Sequence, residues 1–446
     1  MKAFIDCLLK TALENGIEAA EVYQASSDSF RAMAHNGEVS DYSVSSASGL
    51  SLRGIYQGKM GYASTEAMDE EAIGQLIRGV KESAELVESN DPAEIYTVGD
   101  EYTETDTYAP ALETVTEEQK LELLLKLEKA ALSTGDKRIS NIGRVMVMTG
   151  SGSRMLVNTN GLSLSSRSNH AAAMLSVVAR DEGRVATGGS FQTARDFSQL
   201  NAEKITAEAV EEALFYLYAS PIASGSYRVI IDRRCMPDLL QTFSGVFSAD
   251  MAQKGLSLLK DKEGEMIAAP CVTLMDDPHM KDGFGTDSFD AEGVATKVKA
   301  VIENGRLTTL LHNLKTARKA GVASTGNAGK AGYAAPVDIR PYNFYFKPGT
   351  KTLEEMMADI GNGVVITEVS GLHAGANPLS GDFSLLSKGY TVENGKKGHA
   401  VEQITLAGNF YTMLKNIRCV GSDLEFVGSP FGSPSVDVGE MVIAGK

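Results

Sequence analysis

Residues 21–65 read EVYQASSDSFRAMAHNGEVSDYSVSSASGLSLRGIYQGKMGYAST. Serine, alanine, valine and aromatic residues run through four stretches, 21–30, 31–40, 41–50 and 51–65, which read as short, polar-rich strands. His35-Asn36-Gly37 and Tyr56-Gln57-Gly58-Lys59 between them are hairpin turns, because Asn and Gly tolerate positive φ. Strands joined this tightly pair antiparallel.

Helical patterns flank this unit. Leu8, Leu9, Ala12 and Leu13 mark one side of a helix over 2–15. Ala72, Leu76, Val80 and Leu86 mark a second over 68–88. A connector containing acidic residues and proline, 91–114, leads to TEEQKLELLLKLEKAAL, where Thr116 and Gln119 have the spacing of a capping box. Strands return over 143–192, with a turn at Asn158-Thr159-Asn160-Gly161, and a helix near 203–218 follows. Ser220-Pro221 and Ser224-Gly225-Ser226 then mark a change of character. The expected fold is α+β with two domains, 1–222 and 223–446. The first has antiparallel strands and helices. The second is β-rich and glycine-punctuated, with few helices: one from Pro237, which suits a first helical turn, and one over 353–360.

Composition excludes several classes. With 43% hydrophobic and 22% charged residues, the chain has the balance of a soluble globular protein. No apolar run approaches the ~18 residues of a membrane span. The start, MKAFIDCLLKTALENG, does not read as a signal peptide, because Asp6, Lys10 and Glu14 interrupt the apolar residues. Cys7, Cys235, Cys271 and Cys419 are far apart and read as mostly buried thiols, so cytoplasm is the expected compartment. A formal charge of −16, with no Lys/Arg run longer than two, argues against binding nucleic acid and gives no cue for an anionic membrane surface.

Chemistry-bearing motifs are sparse. Gly326-Asn327-Ala328-Gly329-Lys330 fits neither a P-loop nor the dinucleotide fingerprint and reads as a tight turn. Ser429-Pro430-Phe431-Gly432-Ser433 offers serines without a nearby base. No two of His35, His170, His279, His312, His373 and His399 stand at helical ligand spacing. Asp276-Asp277-Pro278-His279 could feed a hard metal or form a turn, and His373 sits in a glycine-rich loop. Asp382 and Glu393 flank a short strand, with no sign that they converge. These residues alone reach no further than a two-domain α+β protein.

Four stretches near the end carry a resemblance. They are Ile302-Glu303-Asn304-Gly305 with Asn313, Ala317-Arg318 and Gly321; Ser324-Thr325-Gly326-Asn327-Ala328; Ser380-Gly381-Asp382-Phe383-Ser384 running to Gly389-Tyr390-Thr391-Val392-Glu393-Asn394-Gly395; and Ile404-Thr405-Leu406-Ala407-Gly408-Asn409 with Asn416-Ile417 and Val420-Gly421-Ser422-Asp423-Leu424. In this order and spacing the chain resembles the TldD/PmbA family. Asn158-Thr159-Asn160-Gly161 and Gly61-Tyr62-Ala63-Ser64-Thr65 extend the likeness over nearly the whole chain.

The resemblance implies a two-domain fold and a dimer enclosing a chamber. One kind of subunit, TldD, carries HExxxH and a distant Cys that hold a metal; the PmbA (TldE) kind lacks them and pairs with it. Together they degrade unfolded peptides and mature peptide precursors. In this chain Gln241 falls where the first His would stand, Thr242 replaces the Glu, Val246 the second His and Phe431 the Cys. None of the four is a ligand or a carboxylate base. The resemblance therefore implies a PmbA-type subunit with no catalytic residue, no metal and no cofactor of its own, with zinc expected in a TldD-type partner. Its expected partners are that HExxxH subunit, in a heterodimer, or a second copy in a homodimer, with unfolded peptide as substrate. Thr325, Asn327, His373 and Asp382 are the candidate residues lining the peptide cavity. The alternatives are a peptide-binding or scaffolding homodimer that stands alone, and an enzyme with an unrecognised site around His279 or His373. Members of the family also carry the name modulator of DNA gyrase; the acidic balance speaks against direct DNA binding.

Overall fold

The computed structural model describes residues 1–88, 91 and 93–446; Pro92 of the expected connector lies outside them. The N-terminal half contains helix α1 (Lys2–Glu14), strands β1 (Ala19–His35), β2 (Glu38–Tyr56) and β3 (Lys59–Thr65), and helices α2 (Glu70–Glu85), α3 (Pro110–Glu113) and α4 (Glu117–Leu132). Strands β4 (Ile139–Asn158), β5 (Ser163–Asp181) and β6 (Arg184–Ala194) and helix α5 (Ala202–Tyr216) follow. The six strands form one antiparallel sheet in the order β3-β2-β1-β4-β5-β6.

Both hairpin turns fall where the sequence puts them. Asn36 and Gly37 have φ of 56° and 80°, and Gln57 and Gly58 have 52° and 72°. Two successive positive φ values give a turn whose twist matches the flanking strands. The strands are long rather than short: β1 and β2 run 17 and 19 residues, and 31–40 and 41–50 are not separate elements. The serines that look like breaks lie mid-strand, at 26–29 and 45–48, paired across the sheet.

Alternation sorts the two faces of this sheet. Val22, Ala32, Leu50, Leu52, Val145 and Ala173 face the helices. At one end of the sheet α1 and α2 cover it through Ile5, Leu8, Leu76 and Val80. At the other end α4 and α5 cover it through Leu124, Leu127, Ala209 and Ala213. Thr116 and Gln119 form the expected capping box of α4. Leu86 is a correction: it is the C-cap just past the last helical residue, Glu85, and is 82% exposed, Ala84 being the last residue of the buried face. Leu13 likewise points to solvent, and Ile5 takes its place in the core. The opposite parity, Glu21 and Tyr23 on β1 and Ser51 and Arg53 on β2, is buried too, against the C-terminal half.

That half begins with β7 (Gly225–Ile231), α6 (Met236–Phe243), a 3-10 turn at Ser244–Phe247, and α7 (Ala249–Gln253). It continues through β8 (Leu274–Asp277), β9 (Lys299–Glu303), β10 (Arg306–Leu307), α8 (Leu314–Ala320), β11 (Ala328–Gly329), β12 (Asp338–Ile339), β13 (Asn343–Phe346) and α9 (Leu353–Ile360). Then come β14 (Gly363–Ser370), α10 (Leu372–Gly375), β15 (Asp382–Glu393), β16 (Lys396–Asn409) and α11 (Phe410–Asn416). Strands β17 (Cys419–Val420), β18 (Glu425–Phe426), β19 (Phe431–Ser433) and β20 (Val436–Ala444) end it. One sheet runs β16-β15-β14-β7-β20-β17, and β16 also pairs with β20 through Thr405, Leu406 and Ala407, which closes five strands on themselves. A second sheet runs β10-β9-β8-β13-β19-β18. The large apolar core between them includes Phe243, Phe247, Phe344 and Phe410.

Of the four thiols only Cys235 is buried; Cys7 and Cys271 are exposed and Cys419 is half-buried, because their elements lie at the surface. Among the described residues no helix is long and apolar enough to cross a membrane.

Candidate functional site

Helix α6, the 3-10 turn that follows it and strand β19 carry the four positions of the expected metal motif, and α6 packs against β19. Their chemistry does not fit a metal. Gln241 is exposed, and the Thr242 hydroxyl donates to the carbonyl of Asp238, 2.7 Å away, one turn back on its own helix. The α-helix ends at Phe243, so Val246 lies on the 3-10 turn beyond it, buried in the apolar core. Phe431 belongs to the same core, its ring 6.1 Å from that of Phe344, which in turn meets Phe247. Amide, hydroxyl, isopropyl and phenyl groups offer no charged or imidazole ligand. Among the described residues no three His, Cys, Asp or Glu gather as metal ligands.

The candidate lining residues fall into two places. Thr325 and Asn327 lie in the turn before β11. The Thr325 hydroxyl accepts from the His312 amide and donates to Asn327 Oδ1, 2.8 Å away. Asn327 is fully buried, and its Nδ2 donates to Asp276 Oδ2 at 2.8 Å and to the Arg340 carbonyl at 3.0 Å. It braces the turn from within. His373 and Asp382 lie elsewhere, exposed around α10 and the start of β15. Hydrogen bonds accepted from the Asn409 amide and the Ser380 hydroxyl hold the Asp382 carboxyl below its usual range. Asp382 and Glu393 stand at opposite ends of β15, 12 residues long, which puts them on the order of 35 Å apart. In the DDPH stretch Asp276 and Asp277 end β8 and Pro278-His279 turn away from it: the His279 amide donates to Asp277 Oδ1 at 2.9 Å, and Asp276 is fixed by Lys299, Asn327 and the Tyr342 amide.

The densest polar chemistry lies where the N-terminal sheet meets the C-terminal half. Arg53 stands between Glu21, at 2.9 Å, and Glu292, at 2.5 Å, with all three buried. Glu292 also accepts from the Leu314 amide. Glu21 Oε2 has no hydrogen-bond partner among the described residues, and burial pushes the Glu21 carboxyl up to about 7 despite Arg53. Beside them Lys330 Nζ donates to Ser51 Oγ at 2.8 Å and to the Tyr62 hydroxyl at 3.2 Å. It stands 4.8 Å from the centres of the Tyr23 and Tyr62 rings, and burial pulls its amine down to about 7. Lys330 opens into a cleft of about 360 Å3 between β1, β4 and β5 on one side and 284–287, 328–330 and 340–342 on the other. Arg154 pairs with Asp287 there at 2.7 Å. In the sequence Lys330 stands out only as the last residue of a glycine-rich turn. The alternation of Glu21, Tyr23, Ser51 and Arg53 onto one face was the available signal.

Three family models match: PmbA/TldA metallopeptidase domain 1 over residues 20–84, its central domain over 110–214 and its C-terminal domain over 224–445. The metalloprotease PmbA of Escherichia coli O157:H7 is 28% identical over 446 residues, which covers 98% of this chain and 95% of that one. A metalloprotease of Methanothermobacter thermautotrophicus is 28% identical over 429 residues, 92% of this chain and 89% of its own. A Thermotoga maritima protein whose crystal structure bears the name of a DNA gyrase modulator is 34% identical and superposes with a TM-score of 0.91, over 99% of this chain and all of that one. TldE from Thermococcus kodakarensis, 22% identical, shares the fold with a TM-score of 0.89 over 99% of this chain and 100% of its own.

Proposed function

The chain belongs to the PmbA/TldD metallopeptidase family, and on that premise we propose that it is the metal-free, PmbA/TldE-type subunit of a two-subunit peptidase acting on unfolded peptides and peptide precursors. One observation supports the reading: Gln241, Thr242, Val246 and Phe431, where the resemblance puts the metal ligands and base, offer neither, and two of them lie in the apolar core. A metal-dependent peptidase needs a polarised water and a base for its proton. The partner, an HExxxH subunit, supplies both in this reading. The chain contributes to binding and entry of the peptide, and its own residues move no proton in the hydrolytic step.

The test is reconstitution. The purified tag-free chain should contain no stoichiometric zinc by elemental analysis and should not cleave an unfolded peptide. Mixed with an HExxxH partner it should support cleavage that a chelator abolishes. Replacing the partner's Glu should stop turnover, whereas Thr242→Ala here should change it little. His373→Ala and Asp382→Asn should raise KM with kcat nearly constant. Chelator-sensitive cleavage by the chain alone would overturn the assignment in favour of a site of its own.

A further inference from the structure

We propose that the cleft between the N-terminal sheet and the C-terminal half binds the carboxylate of a peptide's C-terminus, held by Lys330 and Arg340. The inference rests on the reading above that peptides are the ligand, and it assigns them a point of attachment that includes none of Gln241, Thr242, Val246 and Phe431.

Charge is the first argument. The whole chain has 42 basic and 58 acidic residues, yet the cleft is lined by four cations, Arg154, Arg195, Lys330 and Arg340, and one acid, Asp287. The local sign is reversed within an acidic molecule, which draws an anion to this place. Two of the four cations are engaged: Arg154 holds Asp287 at 2.7 Å, and Arg195 donates to the carbonyls of Asp106 and Gly283. Among the described residues neither Lys330 nor Arg340 has a carboxylate within 4 Å. An ammonium has three N–H donors. Hydroxyls take two from Lys330, and one is left for a ligand.

Construction is the second argument. The short pair β11 and β12 carries Lys330 just past one strand and Arg340 just past the other, and the Arg340 amide donates to the Asn327 carbonyl at 2.9 Å. The Arg340 stem lies across Gly329, where a Cβ would come within 2.8 Å of Arg340 Cδ. Glycine at 329 thus gives the Arg340 stem room to cross the backbone next to Lys330 in the chain. Serine hydroxyls of the sheet, Ser153 and Ser168 among them, supply neutral donors on the opposite wall. The volume of about 360 Å3 is at the small end for ligand pockets, which run roughly 300–1,000 Å3, and suits a chain terminus rather than a folded segment. Arg and Lys bracketing a carboxylate give a strong, charge-assisted set of hydrogen bonds. The amine of Lys330, drawn towards neutrality by burial, regains its proton when the anion arrives.

The experiment uses the full chain and two labelled, unstructured decapeptides of one sequence without Asp or Glu, one ending in a free carboxylate and the other in an amide. Fluorescence anisotropy should give about tenfold or greater preference for the carboxylate. Lys330→Met and Arg340→Gln should each remove most of that preference, with inorganic phosphate competing only for the carboxylate peptide. Arg340 is exposed, so Arg340→Gln keeps the test valid if Lys330→Met does not fold. Equal binding of the two peptides, or a preference untouched by both variants, overturns the cleft assignment and leaves peptide binding standing. Binding of neither peptide, while phosphate still raises the melting temperature through Lys330 and Arg340, shows an inorganic oxyanion site and overturns the peptide reading with it.

Discussion

Arg53, on the second strand of the N-terminal sheet, and Glu292, 239 residues later, meet at 2.5 Å in the buried seam between the two halves. Glu21 completes the group from the neighbouring strand at 2.9 Å. Removing the guanidinium takes from both buried carboxylates the cation that stands between them. Arg53→Met should therefore cost about 3–5 kcal/mol in chemical denaturation. A loss below about 1 kcal/mol would show that the seam is wet or that the group does not form.

Glu21 makes the stability of the protein depend on pH in an unusual direction. Its folded pKa is raised from 4.5 to about 7, so between those values the folded chain holds a proton that the unfolded chain has released. The stability from that proton is fully present below about pH 4.5 and is lost as pH rises through about 7. Subtracting the denaturation free energy of Glu21→Gln from that of the native chain should leave a difference that falls with rising pH, by up to ~1.4 kcal/mol per unit. A flat or rising difference would place Glu21 among ordinary ionised, paired carboxylates.

Gly188 on β6 sets how closely α5 can lie on the sheet. A Cβ there would stand 2.2 Å from the Ala213 amide nitrogen and 2.3 Å from the Ala209 carbonyl oxygen, both helix backbone that cannot step aside alone. Gly188→Ala should destabilise by about 1–3 kcal/mol through displacement of the helix. Gly99→Ala, with nothing within 4 Å, should stay within ~0.5 kcal/mol. Equal melting of the two variants would mean that α5 moves freely.

The parts legible in the sequence are those fixed by near neighbours. Asn36-Gly37 forces its turn within two residues, and Thr116 caps its helix with Gln119 three residues on. Short helices such as α8 and α11 escaped because seven residues make too little of a periodic pattern, although Asn313 and Asn409 cap them. Strand length was misread because serines in mid-sheet look the same as serines in a loop until their partners are known. The metal-motif positions could be examined residue by residue, since their meaning lies in side-chain chemistry. The seam and the cleft could not, because Lys330 meets Ser51 across 279 residues and no local spacing records that contact.

The closing of the C-terminal sheet also has a consequence in time. β7 spans 225–231, and one of its two neighbours in that sheet is β20, at 436–444, which also joins β16 to complete the ring. During synthesis β7 therefore waits, with one edge unpaired, until some two hundred further residues have left the ribosome. The N-terminal sheet needs no strand beyond Ala194 and can be finished long before. Its buried polar face, with Arg53 and Glu21 still lacking Glu292, is then the template on which the later half must settle. Folding of this chain thus has a direction, and its late stage is the one during which open strand edges are available for wrong partners.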